Sequence, residues 1–312
     1  MNRIERIVGA ERPWLTDGGI ETTLIFEDGL DLPLFAAYVL YETPEGRAAL
    51  DRYATSYLKL ASHSAPGFLL GTATWRANLG WAGQLGHDEA AIRRINAQAV
   101  ALARAARDSW ERDDFPILVD GIIGPAGDGY APGLPLDPAE AEALHRPQIE
   151  ALAEAGADLV TVLTMTNPGE AAGIARAARA AGIPAVVSFT LETDGKLPDG
   201  SALSDAMAVV DREAGDAVLW YGVNCAHPTH FMDRLSGDWT GRIGLVRANA
   251  SAKSHAELDE ASEIDNGDPV QFGVLHGDLA RRLPGLRVIG GCCGTDHRHV
   301  GCAATGHRMG RS

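Results

Sequence analysis

The chain has 312 residues, of which 46% are hydrophobic, and it carries a formal net charge of −15. This length suits one large α/β domain or two ordinary ones. The acidic balance excludes a general phosphate-binding surface, because nucleic-acid binding needs clustered Lys and Arg, and it argues equally against docking on an anionic membrane.

The N-terminal segment lacks the apolar core of a secretory signal, and no stretch approaches the ~18 apolar residues of a membrane span. We therefore expect a soluble, cytoplasmic protein that acts on small molecules. The chain contains four cysteines. In that compartment and at this length, they indicate free thiols, a metal site or a nucleophile rather than a disulfide scaffold.

Eight short apolar runs are predicted to be strands. Most are continuous rather than alternating, as in strands that are covered on both faces. In chain order they lie at 13–17, 68–74, 116–124, 158–165, 184–190, 217–225, 242–248 and 286–291.

Ala-rich segments with helical periodicity lie between the strands, at 88–110, 137–156 and 167–182. The second begins with Asp137 as a predicted N-cap and Pro138 at the first helical position. Pro147 is expected to kink or split this helix, because proline removes a backbone donor and clashes with the preceding turn.

Eight strands that alternate with helices or long loops predict a (β/α)8 TIM barrel, with a doubly wound open sheet as the alternative. No shift in composition marks a domain boundary, so residues 1–312 are predicted to form a single domain. The polar stretch at 250–269 is expected to be a loop after strand seven, and an irregular tail is expected at about 300–312.

The cysteines fall at predicted strand ends, where barrel enzymes carry their chemistry. Cys225 ends strand six in "GVNC", and Cys292 and Cys293 end strand eight in "GGCCG". Flanking glycines would free the backbone to aim both adjacent thiols at one point. Three thiolates suit zinc and leave its fourth position open, which is typical of a catalytic site.

Other interpretations of the cysteines stay open. Cys302 could close a structural zinc site, Cys292 and Cys293 could form a vicinal disulfide, or all could be buried hydrophobic residues. A cysteine nucleophile paired with a histidine is also possible, with three nearby candidates in His227, His297 and His299.

A zinc ion held by three thiolates is electron-rich, so it activates water poorly. It suits an incoming thiol instead, because coordination deprotonates the thiol and leaves the thiolate nucleophilic. The expected reaction is attack on an electrophilic carbon, such as a methyl group on a sulfonium or ammonium.

Several motifs occur in a characteristic order. They are "LTDGGIETTL" at 15–24, "GIIGPAGDGY" at 121–130, "SFT" at 188–190, "GVNC" and "GGCCGT". Together they resemble the homocysteine S-methyltransferase family, which includes S-methylmethionine-dependent and betaine-dependent enzymes. The resemblance implies a (β/α)8 barrel and a catalytic zinc ion bound by Cys225, Cys292 and Cys293.

The resemblance also implies that Asp17 and the backbone of Gly18 and Gly19 line the amino-acid pocket; a turn-stabilising role is the alternative for Asp17. Asn224 would bind substrate, support the neighbouring cysteine or be purely structural. We also expect three further substrate-binding residues at the end of strand two, namely Thr72, Thr74 and Trp75. The Trp75 ring could hold a cationic methyl donor or simply pack.

The chain departs from the family at the end of strand four, where Leu163 stands in place of an expected Glu that pairs with the substrate ammonium. Glu21, Asp120 and Glu192, at neighbouring strand ends, are the candidate replacements. The leading expectation is methyl transfer from S-methylmethionine, S-adenosylmethionine or betaine to homocysteine, giving methionine. The alternatives are another thiol or selenol acceptor, a non-catalytic zinc-binding barrel, and a metal-free cysteine hydrolase.

Overall fold

Eight parallel strands close into a barrel in the computed structural model, which describes residues 3–130, 133, 135–261 and 263–311. The strands are β1 Trp14–Leu15, β2 Phe68–Gly71, β3 Ile117–Ile123, β4 Leu159–Met165, β5 Ala185–Phe189, β6 Val218–Asn224, β7 Ile243–Ala248 and β8 Val288–Gly291. Each strand pairs with the next, and β1 also pairs with β8. This closure confirms the (β/α)8 barrel and excludes an open sheet.

Helices surround the barrel. The α-helices are α1 Arg3–Val8, α2 Ile20–Thr22, α3 Pro44–Ser64, α4 Leu79–Ala82, α5 Glu89–Trp110, α6 Pro138–Glu154, α7 Pro168–Ala180, α8 Leu203–Ala214, α9 Pro228–Phe231, α10 His255–Asp259, α11 Pro269–Arg282 and α12 His297–Arg311. A π-helical turn spans Thr23–Glu27, and 3-10 turns span Pro33–Phe35, Ala37–Glu42, Gly83–Leu85, Gly215–Ala217, Met232–Arg234 and Asp238–Arg242. In the described part of the chain, no helix is both long and apolar enough to span a bilayer.

Local sequence accounts for the helix starts. Asp137 accepts hydrogen bonds from the backbone of Ala139 and Glu140, and Glu140 completes a capping box at the start of α6. Pro147 lies inside α6, which continues through it, so the expected split is wrong. A proline is tolerated there because the packed helix face stabilises the turns on either side.

The core has two layers that follow from the two-residue period of the strands. Trp14, Leu69 and Leu118 point into the barrel. Their neighbours Leu15 and Phe68 point outward to the layer between strands and helices. Strands buried on both faces explain why the apolar runs in the sequence are continuous.

Three expectations need correction. Strand two ends at Gly71, so Thr72 and Thr74 lie beyond it rather than in it. The segment at about 300–312 is not irregular, because α12 runs to Arg311. The loop expected at 250–269 contains the short helix α10 and ends where α11 begins.

Candidate metal centre and substrate cavity

Three cysteines converge at the carboxyl ends of the strands. Cys225 follows β6, Cys292 and Cys293 follow β8, and their sulfur atoms all lie within 4.8 Å of one another. The structure joins Cys225 and Cys292 in a disulfide with a Cα–Cα distance of 5.4 Å, and Cys293 is free. The vicinal bond between Cys292 and Cys293 does not form.

Backbone geometry brings the cysteines together. Cys225 has a φ of 51° and Gly294 a φ of 75°, both in the left-handed region that turns the chain sharply after a strand. The amide of Cys292 donates to the carbonyl of Ala248 at 2.8 Å, and that of Cys225 donates to Arg247 at 3.1 Å. The end of β7 therefore supports both cysteine-bearing turns.

Asn224 connects the ends of three strands. Its Oδ1 accepts from the Thr164 amide at 2.8 Å and from Ser188 Oγ at 2.7 Å, and its Nδ2 donates to Thr164 Oγ1 at 2.8 Å. Thr164 Oγ1 in turn lies 3.7 Å from Cys225 Sγ. These contacts make Asn224 a support for the cysteine turn.

Tyr130 and His255 lie beside the sulfur atoms. The Tyr130 hydroxyl donates to Cys293 Sγ at 3.2 Å, and its ring stacks on His255 with centroids 4.2 Å apart. His255 Nε2 lies 2.7 Å from the Cys225 carbonyl, and its Nδ1 lies 2.9 Å from Glu192. Sequence reasoning missed both residues, because a tyrosine in a glycine-rich loop and a histidine in a polar segment carry no spacing signal.

The three sulfur atoms fit a thiophilic metal ion. Burial raises the pKa of the Cys293 thiol to about 11, the Tyr130 hydrogen bond opposes this, and the Glu21 charge adds to it. A cation among the sulfurs would remove that penalty by stabilising the thiolate. Cys302 lies on α12, outside this group, so it does not provide a fourth ligand.

The histidines considered as partners of a cysteine nucleophile do not contact the sulfur atoms in the described part of the chain. His227 Nδ1 bonds to Thr229, and His299 bonds to Asp296 and to the carbonyl of Asn266. The geometry therefore gives no support to a Cys–His hydrolase.

A small cavity of about 60 Å³, hereafter the inner cavity, lies beside the cysteines. Its walls include Asp17, Gly18, Gly19, Glu21, Thr72, Trp75, Leu163, Thr164, Asn224, Arg247, Cys225, Cys292 and Cys293. All the substrate-binding residues predicted from the sequence therefore line it except Thr74. Their roles stay predictions.

Thr74 and Thr72 connect the segment after β2 to β3. Thr74 Oγ1 donates to the Ile122 carbonyl at 2.7 Å, and Thr72 Oγ1 accepts from the Ile122 amide at 3.1 Å. The two hydroxyls also share a hydrogen bond of 2.6 Å. Thr74 is fully buried and supports the cavity wall from behind.

Asp17 forms a buried ion pair that the sequence did not suggest. Its Oδ1 lies 2.7 Å from Arg247 Nη2, and Tyr53 donates to its Oδ2 at 3.1 Å. Arg247 also donates to the carbonyls of Gly18 at 2.9 Å and Gly291 at 3.0 Å. This arginine, at the end of β7, therefore joins the turn after β1 to the turn after β8 that carries Cys292 and Cys293.

Residue 19 must be glycine because the backbone of Cys292 approaches it closely. A Cβ at this position would lie 2.5 Å from the carbonyl oxygen of Cys292. The turn after β1 can therefore pack directly on the turn after β8 only if residue 19 has no side chain.

A larger cavity of about 430 Å³, hereafter the vestibule, adjoins the inner cavity. The two share Trp75, Thr164, Cys225 and Cys293 among their walls. The vestibule wall also includes four carboxylates and three aromatic rings, namely Asp128, Asp259, Glu263, Asp265, Phe26, Phe35 and Tyr130. The Arg76 guanidinium lies 5.0 Å from the Trp75 ring centroid and pairs with Asp128 at 2.8 Å.

The family model described as homocysteine S-methyltransferase matches residues 14–305. The chain belongs to this family. It is therefore a methyltransferase, and the match covers the entire barrel together with all three cysteines of the site.

The chain is also similar to individual methyltransferases. The chain is 30% identical to a homocysteine S-methyltransferase of Escherichia coli, with 94% of this chain and 95% of the relative covered. It is 26% identical to a selenocysteine Se-methyltransferase of Brassica oleracea var. italica, over 90% of this chain and 85% of the relative.

Solved structures of the homocysteine methyltransferase MmuM from Escherichia coli share the fold. The oxidized form has a TM-score of 0.77 at 26% identity and covers 97% of this chain and 99% of its own. The metallated form has a TM-score of 0.74 with the same identity and coverage. A metallated neighbour and a cluster of three cysteines together indicate a metal site.

Proposed function

We propose that the protein is a zinc-dependent S-methyltransferase that moves a methyl group from a cationic donor to homocysteine, giving methionine. The observation that carries the proposal is the convergence of three sulfur atoms beside the inner cavity, where Cys225 and Cys293 line both this cavity and the vestibule. An acceptor in the inner cavity and a donor in the vestibule would meet at this junction.

Cys225, Cys292 and Cys293, in their reduced form, would hold the ion. Bound zinc would keep the acceptor sulfur as a nucleophilic thiolate at neutral pH. Tyr130 would donate its hydroxyl hydrogen bond to the Cys293 sulfur, and Asn224 would keep the Cys225 turn in place through Thr164.

The transfer balances without a further reactant. The thiol proton leaves to solvent on binding, the sulfur electron pair forms a bond to the methyl carbon, and the bond from that carbon to the donor's cationic centre breaks. The donor departs as a neutral thioether or tertiary amine. No general base beyond the metal site is needed for this step.

The vestibule favours a donor with a positive centre. Four carboxylates line it, and the aromatic rings among its walls can contact a sulfonium or ammonium face-on. S-methylmethionine, S-adenosylmethionine and betaine all present a methyl group on such a centre. Electrostatic attraction by the carboxylates of the vestibule would raise the local concentration of these cations.

The test is methionine formation from homocysteine by reduced, zinc-loaded protein, with each of the three donors in turn. We expect turnover with at least one donor and loss of turnover after chelation, with recovery when zinc is returned. Zinc-loaded protein that forms no methionine with any donor contradicts homocysteine as the acceptor. Turnover that survives complete metal removal contradicts zinc dependence.

A second candidate keeps the chemistry and changes the acceptor to another thiol or a selenol. Leu163 motivates it, because this apolar side chain lines the inner cavity where a carboxylate was expected. The relative from Brassica oleracea is named for a selenocysteine substrate. Competition between homocysteine and selenocysteine, read as the ratio of kcat/KM values, separates the two candidates.

A further inference from the structure

Two carboxylates line the inner cavity, and they differ in whether a cation is paired with them. Asp17 follows β1, and Glu21 lies one turn further on in α2. The end of β4 contributes Leu163 to the same wall, and this side chain cannot pair with a cation. Any positive group of an acceptor bound beside the cysteines must therefore find its partner on the segment after β1.

Asp17 is already neutralised. Arg247 lies 2.7 Å from one of its oxygens, and the Tyr53 hydroxyl donates to the other at 3.1 Å. Arg247 is itself buried and bound to two backbone carbonyls. A second cation beside Asp17 would meet the positive charge of this arginine, so Asp17 is poorly placed to be the counterion of a ligand.

Glu21 is the opposite case. Within the described residues, it forms no ion pair and no hydrogen bond to another side chain. Burial raises the pKa of Glu21 to about 7, and the Asp17 charge adds to this, while a hydrogen bond to its own backbone and the charges of Arg247 and Arg76 oppose it. A buried carboxylate that has neither a cationic partner nor a side-chain donor is stabilised strongly by an incoming cation.

The position of Glu21 separates the two substrates. Glu21 lines the inner cavity but is absent from the vestibule wall, which has its own four carboxylates. A donor cation would have to lie on the vestibule side of the sulfur atoms to transfer its methyl group. The positive group nearest Glu21 therefore belongs to the acceptor.

We propose that Glu21 is the counterion of the acceptor's α-ammonium group and selects amino-acid thiols over thiols that lack an amino group. This inference rests on the proposed function, and it gives the carboxylate missing at Leu163 a replacement on a different strand end. It makes Glu21 a specificity-determining residue.

The test compares homocysteine with 4-mercaptobutyrate, which is the same thiol without its amino group, using the zinc-loaded enzyme. For Glu21→Gln we expect the KM for homocysteine to rise at least about tenfold, because a charged hydrogen bond is lost. The KM for 4-mercaptobutyrate and the KM for the donor should stay within about twofold. Glu27→Gln, an exposed neighbour in the next turn, is the matched control and should change neither.

Direct calorimetric binding of homocysteine should weaken by the same factor, and Glu21→Asp should restore part of the affinity because it keeps the charge. Thermal melting checks that each variant is folded. An unchanged homocysteine KM and affinity in folded Glu21→Gln overturns the inference, as does a rise in the donor KM alone. Wild-type enzyme that methylates neither thiol instead refutes the proposed function, so the two failures are distinguishable.

Discussion

Thr164 and Cys225 adopt left-handed backbone conformations at the ends of β4 and β6, with φ values of 63° and 51°. Such conformations cost non-glycine residues about 1–3 kcal/mol each and persist where surrounding contacts enforce them. Asn224 supplies those contacts for Thr164 through its bonds to the amide and hydroxyl of that residue. These conformations leave Thr164 Oγ1 3.7 Å from Cys225 Sγ at the candidate metal centre.

Replacing Cys293 with Ser removes one of the three sulfur atoms and tests whether it is a zinc ligand. We expect zinc affinity of the reduced protein to fall at least about 100-fold, because even outer contacts of a metal site are worth 10–100-fold. Chelator competition measures it. Cys302→Ser, on α12, is the matched control and should bind zinc like wild type; equal losses in the two variants would refute the assignment.

Asp120 in β3 is buried, and its Oδ1 has no hydrogen-bond partner. Burial raises the pKa of Asp120 from 3.8 to about 7, and Asp17 adds to this while Arg247 opposes it. As pH rises, the unfolded chain ionises this carboxyl first, so the folded state loses relative stability until the folded pKa is passed.

The free energy of unfolding of Asp120→Asn, relative to that of wild type, should therefore increase as pH rises. The difference should level off above about pH 7. Between about pH 5 and about pH 8 the gain in unfolding free energy should be about 2–3 kcal/mol. Urea denaturation at both values measures it. The exposed control Asp113→Asn should show no such trend, and a flat difference for Asp120→Asn would contradict the raised pKa.

At the scale of elements, α11 and α12 pack unusually closely through small residues. A Cβ on Gly273 would lie 2.7 Å from the Cys302 carbonyl oxygen, and one on Gly306 would collide with the Gly273 carbonyl. The close packing positions α12, which directly follows the cysteine turn of β8. Glycine at position 306, in the segment expected to be an irregular tail, is thus required by the helix contact.

Gly306→Ala should lower the free energy of unfolding by about 1–3 kcal/mol, because the added methyl group overpacks a backbone contact. Gly301→Ala is the matched control on the same helix, where the nearest atom is a flexible Leu60 methyl at 3.4 Å. The control should be neutral or stabilising by up to about 1 kcal/mol, since alanine favours helix. Equal effects in thermal melts would contradict the close-packed interface.

At the scale of the molecule, the site draws on strand ends from around the whole barrel. The cysteines come from β6 and β8, their supports come from β4, β5 and β7, and the inner cavity also uses the segments after β1 and β2. Only a closed barrel brings ends so distant in sequence to one point. Binding at the site should therefore stabilise the fold as a whole.

Zinc removal from reduced protein should lower the midpoint of thermal unfolding. With free zinc at about 100 times its dissociation constant, the stabilisation lost is about 3 kcal/mol. Scanning calorimetry with and without a chelator measures the shift. The chelator should not change the melting of Cys293→Ser; a similar shift in that variant would mean that the metal acts elsewhere.

The amino-acid sequence by itself determined the barrel, since continuous apolar runs and capped helices are local patterns, and it placed three cysteines at strand ends. It also identified most of the inner-cavity wall through short motifs. Only the tertiary structure decided that Arg247 pairs with Asp17, that Tyr130 donates to Cys293, and that Glu21 has no cationic partner among the described residues. These facts depend on distances between residues remote in the chain, which arise only when the barrel closes and burial fixes each charge against its neighbours.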